Sequence, residues 1–307
     1  MPGLDFLVML QSLRTPLGDV VFHVASALGS EVAYLAVLSI VYLCYSHRFG
    51  FHLMVAFLLS DYSNSQLKWI FDTQRPFELF PDKITGLYTS GAGGGAYPSG
   101  HAQHATVVWG LLALRTGRRS LRYLALAAIA VIAFSRLYLG VHWPVDVVGG
   151  VLAGAALMLA YLALTVEWAE GRLVMRSADW AVLAIGGIGM MLVFGWHDGT
   201  CVRATGALLG STVGFALLQR RGYDARGPMG TQLLKVGIAL AVLLTVKLLL
   251  GELMGSSPAA YVLRYATTAF IGAYALPVAF TEYGLAPPTG RMARLGQAAL
   301  NRRRAGA

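Results

Sequence analysis

Apolar residues in this chain come in long runs, each close to the ~20 residues that an α-helix needs to cross a bilayer. Short polar loops separate them. The runs fall at about 31–46, 50–71, 100–115, 121–139, 146–166, 178–196, 203–219, 232–250 and 258–280. They predict an all-α fold, a polytopic membrane helical bundle of about nine transmembrane helices. Ser30 suits the N-cap of the first, and Pro144 the first turn of the fifth. Ahead of these, Leu4, Leu7, Met9, Leu10 and Leu13 predict an N-terminal amphipathic helix lying at the interface. Asp5 stands where a signal peptide would carry a basic residue. The stretch Leu17–Leu28, with Asp19 and His23, is too short and too polar for a span.

Composition agrees with the pattern. Hydrophobic residues make up 56% of the 307 and charged residues 13%, against about 25% charged in a soluble domain. Mean hydropathy is +0.61. The net charge of +9 raises nucleic acid as a partner, but the arginines sit in short loops between apolar runs, so topology accounts for them and no nucleic acid is expected. One set of loops holds Arg48, Arg115, Arg118, Arg119, Arg122, Arg172, Arg176, Arg220, Arg221, Arg226 and the arginines of the tail. The other holds Arg14, Lys83 and Arg203. Lys/Arg excess marks cytoplasmic loops, which places the C-terminus inside and the N-terminus outside. Cys44 and Cys201 fall near opposite faces and lack metal-ligand spacing. Arginine far outnumbers lysine amid abundant Ala, Gly and Leu, which suggests a bacterial inner-membrane protein.

Three polar strings interrupt the apolar pattern: Lys68 to Arg75-Pro76, Pro98-Ser99-Gly100-His101, and Ser135-Arg136 followed by His142 and Asp146. By the span assignment all three emerge on the outer face. Lys68, Arg75 and Arg136 supply the cations a phosphate ester needs, and arginine presents a planar fork for paired oxygens. Taken singly, each could be a cation snorkelling at a helix end. Ser99 and Gly100 open a helix, where free N–H groups favour an anion; a plain N-cap looks the same. His142 and Asp146, four apart, fit a ring oriented by a carboxylate, a spacing that also arises by chance.

In this order and spacing the strings resemble the type 2 phosphatidic acid phosphatase superfamily, which includes lipid phosphatases, glucose-6-phosphatase and vanadium haloperoxidases. The resemblance spans about residues 30–165. It implies His142 as the nucleophile that forms a phosphohistidine, Asp146 as its orienting carboxylate, and His101 as the general acid. Lys68, Arg75, Ser99, Gly100 and Arg136 would then bind phosphate. Asp61, with Asn64 and Ser65 nearby, reads as a supporting polar network, and His104 as either a supporting or a packing residue. The glycine-rich run Gly86–Gly100 lacks the GK[ST] of a nucleotide loop and reads as a flap or entry loop. Asp72, Glu78 and Asp82 form no metal cage, so neither metal nor cofactor is expected.

The expected organisation is a phosphatase core over 1–166 and a four-helix transmembrane extension over 167–307. The expected function is hydrolysis of a lipid phosphate monoester or diphosphate at the extracytoplasmic interface. The alternatives are a headgroup phosphotransferase using the same site, and a lipid transporter.

Overall fold

The computed structural model describes residues 2–89, 94–116, 119–169, 172–175 and 199–288, with a few isolated positions between 185 and 192. Most of the span expected at 178–196 and the arginine-rich tail lie outside the described residues. The helices are α1 (Pro2–Ser12), α2 (Pro16–Ala27), α3 (Glu31–Ile40), α4 (His47–Phe71), α5 (Pro76–Leu79), α6 (Gly100–Thr116), α7 (Arg119–Tyr138) and α8 (Pro144–Thr165). An antiparallel ribbon follows, β1 (Val166–Ala169) and β2 (Arg172–Met175). Then come α9 (Gly199–Arg221), α10 (Met229–Met254), α11 (Pro258–Phe270) and α12 (Leu276–Glu282).

Five segments are long and apolar enough to cross a membrane among the described residues: α7, α8, α9, α10 and Pro258–Glu282. The pair formed by α2 and Glu31–Tyr45, bent by 52°, makes a sixth if it counts as one span. Helices α4 and α6 stand where spans are expected. Their hydropathy is lowered by the polar residues they carry, among them Ser60, Asp61, Asn64 and Lys68 on α4 and His101, Gln103 and His104 on α6. The protein is an integral membrane protein.

Packing divides the chain into two compact units: Met1–Tyr34 with Ala56–Trp180, and Leu35–Val55 with Ala181–Ala307. In the second unit, α3 ends in a π-helical turn, Val41–Tyr45. The last carbonyls of a helix have no partner within it, and here side chains supply them. Leu43 O accepts from Tyr223 Oη at 2.8 Å and from Lys235 Nζ at 2.9 Å. Lys235 also donates to Ala225 O at 3.0 Å. A fully buried lysine thus sits at a helix C-terminus, where a positive charge is favoured. A second π turn, Ile271–Ala275, precedes Pro277. Proline has no N–H, so the carbonyl of Ala273 loses its helical donor; Tyr42 Oη fills it at 2.8 Å.

In the first unit, α6 packs on both α7 and α8, and α2 packs on α7. Ala102, Ala133 and Val147 join the α6, α7 and α8 core. The leucines of α1 divide differently from the lipid-facing stripe expected of them. Leu4, Leu7 and Leu10 are buried against Ile84, Tyr138, Leu139 and Val141, while Met9 and Leu13 are exposed. Helix α1 is therefore a packed element of this unit.

The close approach of α8 to the start of α6 depends on glycine. A Cβ at Gly150 would lie 2.5 Å from Ser99 O, and one at Gly154 would lie 2.6 Å from Gln103 O. Small residues spaced by four let helix backbones meet. Gly150→Ala must therefore displace the turn that carries Ser99. The expected cost is about 1–3 kcal/mol, the usual range for overpacking. A lowered melting temperature in detergent, with activity falling by more than the fold does, is the expected result.

Candidate active site

The geometry around His142 is set by local backbone rules. Pro76 keeps Arg75 extended (φ −81°, ψ 157°), as proline does to the residue before it. Glu78, three residues on, accepts the Arg75 N–H at 2.9 Å. The Arg75 side chain turns inward and is 1% exposed. Its Nη1 donates to Val141 O at 2.9 Å and lies 3.2 Å from His142 Nε2. On the other side of the ring, His142 Nδ1 is 3.3 Å from Asp146 Oδ2. The same Oδ2 accepts the Trp143 N–H at 2.8 Å. Asp146 therefore closes the first turn of α8 and faces the ring at once, the reciprocal use of an acid near a helix start.

This line decides the tautomer. A guanidinium can only donate, so Nε2 must accept from Arg75 and carry the lone pair. The ring proton then sits on Nδ1 and is given to Asp146. An imidazole in that state presents Nε2 as its nucleophilic atom.

Ser99 is fully buried, and its N–H is used by Asp146 O at 2.9 Å. Its hydroxyl oxygen and Arg136 Nε are buried without a hydrogen-bond partner among the described residues. Buried polar atoms are normally satisfied, so both groups suit an incoming oxyanion. Gly100 has a packing reason to be glycine: a Cβ there would be 2.9 Å from Asn64 Oδ1. Asn64 donates to Pro98 O at 3.2 Å and to Gln103 Oε1 at 2.9 Å. Gln103 Nε2 in turn donates to Ser60 O and Ser63 Oγ. The start of α6 is thus pinned to α4 by an amide network. Asn64 belongs to it as expected; Gln103, its hub, gives no signal in the sequence. His104 Nε2 lies 3.7 Å from Asp61 Oδ1, beyond hydrogen-bond range.

His142 lies in the turn before α8, outside the membrane-spanning segments. Burial, then the charges of Arg136, Arg75 and Lys68, holds its pKa well below that of an ordinary imidazole. These three cations and His101 all lie near enough to act on the ring. Beside them is a cavity of about 1040 Å³, with Asp146 and Trp143 in its wall and Phe71, Leu79, Tyr97 and Val145 around it. Phe71, Leu79 and Val145 are also exposed. Among the described residues, no group of three or more His, Cys, Asp or Glu is placed to hold a metal ion.

Comparison with known proteins gives this geometry a family. Residues 49–170 match the PAP2 superfamily, and residues 202–288 match the transmembrane extension of PAP2 superfamily phosphatases. The chain belongs to the PAP2 superfamily. It is a membrane phosphatase of that group. It is 26% identical over 162 residues to an undecaprenyl-diphosphatase of Sulfolobus acidocaldarius, covering 52% of this chain and 75% of that protein. It is 33% identical over 130 residues to YbjG of Escherichia coli K12, named a candidate undecaprenyl-diphosphatase, covering 41% of this chain and 61% of that one. A crystal structure of Aquifex aeolicus LpxE aligns with a TM-score of 0.48 and 24% identity, over 53% of this chain and 96% of that chain.

The neutral ring has a consequence for this PAP2 protein's stability. Above pH 6.5, the reference value for histidine, folded and unfolded states both carry the 142 side chain uncharged. Below it the unfolded chain takes a proton that the folded site does not. Stability is therefore lost as pH falls from 6.5 toward the depressed folded pKa, by at most about 1.4 kcal/mol per pH unit for one proton. The difference between the melting curves of the parent and of His142→Gln, recorded in detergent between pH 7.5 and 5, should carry this slope.

Proposed function

We propose that this phosphatase removes the terminal phosphate of a lipid phosphate or diphosphate through a phosphohistidine on His142, at the extracytoplasmic interface. The observation that carries the reading is the Asp146–His142–Arg75 line, with the lone pair on Nε2 beside three cations. Nε2 attacks phosphorus, His101 protonates the departing alkoxide or phosphate, and water then attacks the phosphohistidine. Asp146 stabilises the positive ring that forms, as the aspartate does in a Ser-His-Asp triad. Lys68, Arg75, Arg136, Ser99 and the start of α6 at Gly100 hold the phosphoryl oxygens, without a metal. The exposed apolar rim of the cavity (Phe71, Leu79 and Val145) supports a substrate whose chains stay in the bilayer. The two undecaprenyl-diphosphatase relatives make a polyprenyl diphosphate the first substrate to try. The arginine-rich loops support nine spans, with the site outside and the C-terminus in the cytoplasm. Two separate family matches, over residues 49–170 and 202–288, support a phosphatase core over 1–166 followed by a transmembrane extension over 167–307.

Turnover should survive EDTA and be inhibited by orthovanadate, which can adopt the five-coordinate geometry of phosphoryl transfer. Rapid quenching with ³²P-labelled substrate should trap an acid-labile, base-stable phosphoprotein. His142→Ala should abolish both the trapped species and turnover. Asp146→Asn should fold yet lose up to about 10⁴-fold in rate, by analogy with the serine-protease triad. His101→Ala should lose more on alkyl phosphates than on p-nitrophenyl phosphate, whose anion needs little protonation. Full turnover by His142→Ala would overturn the mechanism.

Orientation has its own measurement. In a background with Cys44 and Cys201 replaced, cysteines at Thr89 and Thr200 should react with an impermeant thiol reagent added from outside. One at Arg119 should not. The reverse labelling would place the site in the cytoplasm.

A further inference from the structure

The match to the superfamily begins at residue 49, yet two of the site residues meet a part of the chain that lies before it. Phe22, Ser26 and Gly29 are spaced four and three apart, which puts them along one side of α2 and its continuation. That side faces α7. Phe22 packs against Tyr138, with ring centroids 4.2 Å apart and the planes tilted by 32°. Ser26 is 4% exposed, and its Oγ accepts a hydrogen bond from Arg136 Nη1, across 110 residues of sequence. One turn on, at the 52° bend between α2 and α3, Gly29 lies against the second histidine. A Cβ on Gly29 would be 2.8 Å from His101 Cδ2 and 2.8 Å from Ile132 Cγ2.

We infer that this elbow is a wall of the phosphate site, with Ser26 and Gly29 as positioning residues. Ser26 fixes the aim of the Arg136 guanidinium, whose Nε has no hydrogen-bond partner among the described residues and so is available to an oxyanion. Gly29 gives the His101 ring room in the orientation from which it can reach a leaving group. An arginine has several rotatable bonds and loses much rotamer freedom when it is ordered. A buried hydroxyl that orders it before substrate arrives lowers that cost at the moment of binding. The part played by Gly29 rests on His101 acting as general acid; the part played by Ser26 requires only that the site binds phosphate.

The test uses the full-length protein in detergent, with inorganic phosphate as the probe. Ser26→Ala should weaken the phosphate Kd about tenfold, the size of one hydrogen bond to a charged group. Ser26→Thr, which keeps the oxygen, should stay within a few-fold of the parent. In an Arg136→Ala background, Ser26→Ala should cause no further loss, because the two act as one unit. Losses that multiply, or an unchanged Kd in Ser26→Ala, would overturn the assignment of Ser26. Gly29→Ala should reproduce the leaving-group signature of His101→Ala, losing at least tenfold more on alkyl phosphates than on p-nitrophenyl phosphate. Equal losses on both would overturn the assignment of Gly29. A parent protein that binds phosphate but hydrolyses no lipid phosphate would sink the proposed function and leave the Ser26 result standing.

Discussion

Arginine side chains buried at helix ends constrain this molecule more than any other feature. Removing a guanidinium from water costs several kcal/mol unless geometry and hydrogen bonds compensate. Arg75 and Arg136 are both almost fully buried, and the chain is arranged to supply them with oxygens. Val141 O is aimed at Arg75 by the turn that also carries His142. Ser26 meets Arg136 because α2 packs along α7. The glycines of α8 admit α6 closely enough for Ser99 and Asp146 to share a backbone hydrogen bond. Each contact fixes a group that the proposed function assigns to the phosphate site.

The candidate residues whose placement is local were legible in the sequence. Lys68, Arg75, Ser99, Gly100, His101, Arg136, His142 and Asp146 stand at helix ends that hydropathy locates to within a few residues, and proline marks two of those ends. What could not be read depends on distant contacts. Ser26 is an ordinary serine until α2 lies on α7. Gln103 is a lone amide in an apolar helix until Ser60, Ser63 and Asn64 come beside it. Asp19 makes Leu17–Leu28 look too polar for a span, and the sequence does not show that Arg14 takes its carboxylate with two donors, at 3.0 and 3.1 Å. Periodicity sees a charge and misses its partner. The glycine-rich run shows the same limit. Its glycines suggest a flap, whose middle, residues 90–93, lies outside the described residues; on either side Thr85 is held by Gln11 through both backbone groups, and Ala96 and Tyr97 by Thr73.

The second unit follows the same physics without any catalytic motif. Lys235 is a full charge within an apolar helix, and it is accommodated by the carbonyls that a π turn and a loop leave unused. Pro277 removes a helical donor, and Tyr42 replaces it. Irregular backbone in an apolar setting persists where side chains re-satisfy it. Such a network resists substitution one residue at a time, because losing either partner strands the other.

In the proposed mechanism, the contact between Arg75 and His142 would also act as a filter for charge. While the guanidinium rests on Nε2, the lone pair is occupied, and an electrophile must first draw the arginine away. A dianionic phosphoryl group does so by offering a stronger acceptor than a neutral imidazole. An uncharged ester offers nothing comparable and leaves the ring covered. In the proposed mechanism, binding the right anion and baring the nucleophile are one movement of one side chain. A site built that way would select for charge before any bond is made.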